Sequence, residues 1–248
     1  PDLQHLASLI SSRTKAVVVI NPNNPSGAVY DRATLDQIVK LATAHGLIVM
    51  ADEIYDQMVY DDAEFIPLAI LATDTVCLTF SGLSKIYRAC GYRVGWAVFS
   101  GNLDRATDYI HGLELLCALR LCSNVPGQWA VQTALGGFQS IQPLVRPGGR
   151  LYQSRQAVID RVTASKYLHL EKPMGAMYAF LRLDERFKGK LDDQAFARDL
   201  LENHHVLVAP GSSFNTPYTD HFRITTLPDT DTIDIVFDRI EACLERYS

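Results

Sequence analysis

The chain has 248 residues, of which 48% are hydrophobic and 21% charged, with a formal net charge of −5. That length leaves room for one large domain or two modest ones with sizeable cores, and the composition is that of an ordinary globular protein. So mild an acidic balance gives no footing to a nucleic-acid or membrane-surface partner, and no apolar run reaches the length that spans a bilayer. Cys77, Cys90, Cys117, Cys122 and Cys243 are odd in number and lack CxxC spacing. They read as reduced cytosolic thiols, mostly buried, rather than as a disulfide framework or a zinc site.

Leu3, Leu6 and Ile10 repeat at helical spacing, so a short amphipathic helix opens the chain. Val17 to Ile20, all β-branched, predicts a fully buried strand that runs into the rigid loop Asn21-Pro-Asn-Asn-Pro-Ser-Gly27. Asp31 is the expected N-cap of a helix with Leu35, Ile38, Val39 and Ala42 on one face and Gly46 as its stop. Leu47 to Ala51 predicts a second buried strand ending on Asp52 and Glu53, and Val76 to Phe80 a third, ending on a small-residue loop. A further apolar run follows over Val94 to Phe99. Strand, loop and helix in alternation predict an α/β layer with a mainly parallel sheet. Helices are expected over Leu103 to Leu121 and Pro126 to Leu135, and Arg146-Pro-Gly-Gly149 is the expected boundary. The domains are therefore expected at 1–146 and 147–248. The second region predicts a helix from Leu151 to Ala164, strands at 167–170, 177–183, 206–209 and 222–225, a helix from Asp193 to His204, and a closing helix. Ile233, Phe237, Ile240, Leu244 and Tyr247 share the face of that last helix, which makes the region a smaller α+β domain.

Ligands of an open parallel sheet bind beyond the carboxyl ends of its strands. Asn24, Asp52 and Lys85 are delivered to such ends. A lysine held at a buried strand end is where a Schiff base can form, because desolvation there frees the amine as a nucleophile. Ser81, Ser84 and Arg93 nearby are groups that suit a phosphate. Each residue also has a plainer account: Lys85 as a surface lysine on a polar turn, Asn24 as a turn cap, Tyr55 as a core ring. Asp52 resists one, since a carboxylate at the end of Leu-Ile-Val-Met-Ala needs a cationic or hydrogen-bonding partner. Asp56, Asp61, Asp62 and Glu64 read as a solvated face. The seven histidines show no HExxH or other metal spacing, and there is no GxGxxG, Walker loop or GxSxG.

In order, the chain carries Asn24-Pro-x-Gly27, Asp52-x-x-Tyr55, Ser84-Lys85, Gly91-x-Arg93-x-Gly95 and His221-Phe-Arg223-Ile. With those five motifs in that order, it resembles the fold-type-I pyridoxal-phosphate aminotransferases of class I/II along essentially its whole length. The resemblance implies the aspartate-aminotransferase fold, represented here by part of the large domain and a smaller C-terminal one. It implies that Lys85 holds pyridoxal 5′-phosphate and shuttles the substrate proton, and that Asp52 pairs with the pyridine nitrogen. Asn24 and Tyr55 would hydrogen-bond the phenolic oxygen, Arg93 and Ser84 the phosphate, and Arg223 the substrate carboxylate. Partners would be an amino acid, a 2-oxo acid and, in the homodimer of the full-length form, a second copy, with no metal, nucleic acid or membrane and a cytoplasmic location.

Among these enzymes the bacterial alanine aminotransferases are most similar, through Asn21 to Tyr30, Ala51 to Asp56, Gly112 to Pro126, Gln132 to Ile141 and Pro147 to Tyr152. Ser26 stands where threonine is usual. Aromatic or branched-chain aminotransferases, β-lyases and the effector domains of aminotransferase-like transcription regulators share much of this pattern. Because such enzymes extend further at the N-terminus, a chain opening at Pro1 is expected to be a C-terminal fragment, inactive alone.

Overall fold

A computed structural model describes residues 1–248. The chain divides into two units, one of residues 1–22, 30–57 and 64–141, the other of residues 23–29, 58–63 and 142–248. Two short pieces of the N-terminal half thus belong to the second unit.

The first unit holds α1 (Leu3–Ser8), β1 (Ala16–Ile20), α2 (Arg32–Ala44), β2 (Ile48–Asp52), β3 (Val76–Gly82), β4 (Gly95–Gly101), α3 (Thr107–Arg120) and α4 (Val125–Gly136). Its sheet runs β1-β2-β3-β4, with β1, β2 and β3 parallel and β4 antiparallel to β3. The Asp31 carboxylate caps α2 by accepting the Thr34 N–H at 2.7 Å, and Leu35, Ile38, Val39 and Ala42 bury the face predicted for them. They pack with Val19, Leu47, Val49, Ala51, Leu68 and Cys77 into one cluster, against which Leu3, Leu6 and Ile10 lie partly buried. Two expectations need correction. β1 is not fully buried: it pairs only with β2 at the sheet edge, so Val19 enters the core while Val18 stays 64% exposed. The cysteines are not mostly buried either, since Cys90, Cys117 and Cys122 are exposed and only Cys77 and Cys243 lie inside; all five are free thiols.

The second unit holds α5 (Gln142–Val145), α6 (Arg150–Ala164), β5 (Leu168–Leu170), β6 (Tyr178–Leu183), α7 (Asp193–His204), β7 (Ala209–Pro210), β8 (His221–Thr225) and α8 (Thr230–Glu245). Its antiparallel sheet runs β5-β6-β8-β7. Alternation on β6 sends Ala179, Leu181 and Leu183 into a core shared with Phe196, Leu200, Phe222, Phe237, Ile240 and Leu244. The fourth strand is shorter than the predicted 206–209 and begins only at Ala209. Gly27 ties the loop at 23–29 into this unit. Its carbonyl accepts the N–H groups of Met174 and Gly175, both at 2.8 Å. Its φ of +71° is in the left-handed region, and a Cβ there would lie 2.5 Å from that of Pro173, so only glycine fits. Asp61 is not part of a solvated face. Its carboxylate meets Arg155 at 2.7 Å and Lys172 at 2.8 Å, and these cations, Lys172 first, hold it down at about 2.

Candidate active site

Asp52 is the last residue of β2 and stands in register between Ile20 of β1 and Phe80 of β3. Its main chain is locked at both sides, the carbonyl accepting the Asn21 N–H and the next amide donating to Phe80. Its Oδ1 accepts the Ile54 N–H at 3.2 Å, a local turn that halts the strand and swings Tyr55 inward to 3% exposure. The half-buried Lys85 follows β3 by three residues and carries its Nζ to 6.0 Å from the Tyr55 ring centroid. The loop around Lys85 is closed by its own backbone: Leu83 donates to Val94, Arg88 to Lys85 and Ala89 to Leu83, each at 3.0 Å.

The antiparallel direction of β4 decides where Arg93 goes. Gly95 pairs with Gly82, so the amino end of β4 meets the carboxyl end of β3 and Arg93 joins the same sheet edge. A side chain on Gly82 would meet the Val94 carbonyl at 2.8 Å, which explains a glycine at this crossing. Arg93 is exposed, has a φ of 52°, and donates from Nη1 to the Cys90 carbonyl at 2.8 Å. The first unit therefore gathers Asp52, Tyr55, Ser84, Lys85 and Arg93 at one edge: a carboxylate, an amine, a guanidinium and two hydroxyls.

The acids beside Asp52 are perturbed. Burial pushes Glu53 up to about 7, opposed by the Leu68 N–H it accepts and reinforced by Asp56 and Asp52. Burial also raises Asp56, against the pull of the Gln57 N–H. Tyr87 rises through burial and then through Asp56.

In the second unit Arg223 stands on β8, where its Nη1 donates to Asn24 Oδ1 at 2.9 Å. The Asn24 loop is stiffened by its neighbour, since Asn23 Oδ1 accepts from the Ser26 hydroxyl at 2.7 Å and from its N–H at 3.2 Å. The guanidinium lies over the Tyr178 ring at 4.5 Å and the Phe214 ring at 4.8 Å. Its Nε is buried without a hydrogen-bond partner. A planar fork held by one amide and flanked by two rings keeps its direction, and its remaining N–H edge suits a carboxylate.

Sequence reasoning passed over Tyr178 and Phe214. For Tyr178 a signal existed: Phe180 pairs with Arg223, and strand alternation puts Tyr178 on the same sheet face. Phe214 ends a short 3-10 turn far from β6 in sequence, and nothing local marks it.

The family described as aminotransferase class I and II matches residues 1–240. The chain is 46% identical over 247 residues to the glutamate-pyruvate aminotransferase AlaA of Escherichia coli (strain K12), covering all of this chain and 61% of that protein. It is 48% identical to the alanine aminotransferase of Mycobacterium bovis, again over the whole chain and 58% of the relative. The crystal structure of an aminotransferase from Escherichia coli matches with a TM-score of 0.96 at 46% identity, over 99% of this chain and 61% of that one. The chain thus spans about three-fifths of the length of these relatives. No helix is long and apolar enough to cross a membrane.

Proposed function

The chain belongs to the class I and II aminotransferases, and from that premise we propose that its residues serve transfer of an amino group from an L-amino acid, alanine first, to a 2-oxo acid. The observation that carries the reading is the convergence of Asp52, Lys85 and Arg93 at one edge of the first sheet. The names of the two curated relatives, glutamate-pyruvate and alanine aminotransferase, support alanine, pyruvate and glutamate as the substrate class.

The donor set fits pyridoxal 5′-phosphate. Arg93 and Ser84 would take its phosphate, Asp52 its ring nitrogen, Asn24 and Tyr55 its phenolic oxygen, and Lys85 would hold it covalently. Bound there, the cofactor supplies an electron sink for the pair left when the Cα–H bond breaks. Asp52 would hold the ring nitrogen in its protonated form, because a carboxylate stabilises a cation beside it. Lys85 Nζ would serve as the base that carries the substrate Cα proton, a role within reach of a single flexible amine. Arg223 grips the α-carboxylate with the edge that includes its buried, unpartnered Nε, and so fixes which Cα bond is aligned for cleavage. Asn24 holds that arginine in direction through its 2.9 Å bond.

The same reading makes the assembly a homodimer in the cytoplasm, supported by the exposed apolar side chains of α3 and α4 and by five unpaired thiols. The test is direct. Borohydride trapping of the chain incubated with pyridoxal 5′-phosphate, followed by peptide mass spectrometry, is expected to label Lys85. Label confined to other lysines, or undiminished incorporation in Lys85→Ala, would overturn the assignment.

A further inference from the structure

The second unit brings together three side chains that linear spacing keeps apart. Asp199 and His204 lie on the last turns of α7, and Cys243 lies on α8. One ligand atom from each falls within 4.8 Å of the others. Cys243 is fully buried and Asp199 only 9% exposed. The thiol donates to Asp199 Oδ2 at 3.5 Å. His204 Nε2 is buried and has no hydrogen-bond partner.

We propose that Asp199, His204 and Cys243 form a binding site for a divalent cation of the zinc class, joining α7 to α8. Zinc bonds of about 2.3 Å to sulfur and about 2.0–2.2 Å to oxygen, at a tetrahedral angle, put the two ligand atoms roughly 3.5 Å apart. Cys243 Sγ and Asp199 Oδ2 already stand at 3.5 Å. The metal therefore takes the place of the thiol proton between them without moving either group. His204 supplies the third ligand by closing in from the helix end, and a water completes the tetrahedron. A thiolate, an imidazole and a carboxylate are the donor mixture that borderline zinc accepts, whereas calcium and magnesium demand oxygen alone.

Without metal, the buried Cys243 thiol holds its proton in the hydrogen bond to Asp199. On binding, the S–H bond breaks, the sulfur–metal bond forms and the proton leaves to solvent. Asp199 also accepts from Asn203 at 2.5 Å, Tyr247 at 2.7 Å and Arg246 at 3.2 Å. Arg246 is the one cation on this carboxylate, and its side chain is 55% exposed. It turns out to solvent as the metal arrives, so the charge on Asp199 is compensated once, not twice. Asn203 and Tyr247 remain as the outer bonds that orient the carboxylate.

The experiment uses the whole chain with Cys90, Cys117 and Cys122 replaced by serine, which removes the exposed thiols as competing ligands. Titration with cobalt(II) is expected to give thiolate-to-metal charge-transfer absorption saturating at one equivalent and abolished by zinc. Cys243→Ser should lose that absorption, and Cys77→Ser should keep it. His204→Gln, at a partly exposed helix end, decides the matter if Cys243→Ser does not fold. It should stay folded by circular dichroism and bind cobalt at least about tenfold more weakly, given that even outer partners of metal ligands are worth 10–100-fold. Absence of the charge-transfer band, its persistence in Cys243→Ser, or unchanged affinity in His204→Gln would each overturn the site.

Discussion

Glu53 lies beside Asp52, yet its carboxyl is buried at 6% exposure with one strong donor, the Leu68 N–H at 2.8 Å. The other ionisable groups that bear on it are Asp52 and Asp56 from its own turn and the Cys77 thiol of β3; none is a cation. Burial raises it from 4.5 to about 7. Its folded value thus exceeds its unfolded one, so its contribution is fully present below about pH 4.5 and is lost as pH rises through 7. At about 1.4 kcal/mol per pKa unit, the loss is on the order of 3 kcal/mol by pH 8. Glu53→Gln keeps an acceptor for Leu68 but cannot ionise. Urea unfolding at pH 5 and pH 8 is expected to show most of this decline gone in the variant, with a remnant from Asp56, which burial also raises. Equal declines in both proteins would rule the account out. Asp52 was legible in the sequence as a carboxylate ending an apolar run. The burial of Glu53 was not, because it depends on Leu68, fifteen residues away in a 3-10 turn.

The helix α6 shows how a charge becomes structural. Leu151, Arg155, Val158 and Val162 form its buried stripe, so an arginine occupies a core position. Arg155 is completely buried, donates from Nε to the Pro173 carbonyl at 2.6 Å and from Nη2 to Asp61 at 2.7 Å, and lies 4.8 Å over the Tyr60 ring. One side chain thereby joins α6 to the segments at 58–63 and 173–174 of the same unit. Arg155→Ala leaves the Pro173 carbonyl without that donor, a cavity, and an Asp61 supported only by the half-exposed Lys172. Removing one partner of a buried pair costs about 3–5 kcal/mol, and a well-packed apolar replacement costs less. Urea unfolding should therefore rank wild type above Arg155→Met and Arg155→Met above Arg155→Ala. An alanine variant within about 1 kcal/mol of wild type would show that the pair does not hold the segments. The helices α6 and α7 were readable from periodicity to within a residue, since capping and apolar spacing are local. Asp61 was misread because its partner Arg155 is 94 positions away. The antiparallel turn of β4 also escaped local reading, because an apolar run carries no direction.

For the molecule as a whole, the family was legible through five short motifs in fixed order, because each carries a backbone turn or a reacting group within a few residues. The surface they leave behind was not legible. In α3 and α4, Leu116 is 62% exposed, Leu119 79% and Trp129 74%, and just beyond them Phe138 reaches 85%. Both helices are apolar around much of their circumference, a pattern that belongs to helices covered on several sides. So many large apolar side chains in solvent exceed ordinary scatter and suit a face that is covered. Each such side chain contributes roughly 1.5–3 kcal/mol when covered. Under the homodimer reading, sedimentation velocity across a concentration series should show self-association of the chain. Leu119→Glu with Trp129→Glu should weaken it by at least about tenfold, since each 1.4 kcal/mol lost is a factor of ten. Glutamates placed instead at exposed positions of α8, Ile235→Glu with Ala242→Glu, should leave it unaltered. A chain that stays monomeric throughout the series, or one whose association ignores the α3–α4 charges, would remove the second copy from the functional proposal while leaving the Lys85 labelling test untouched.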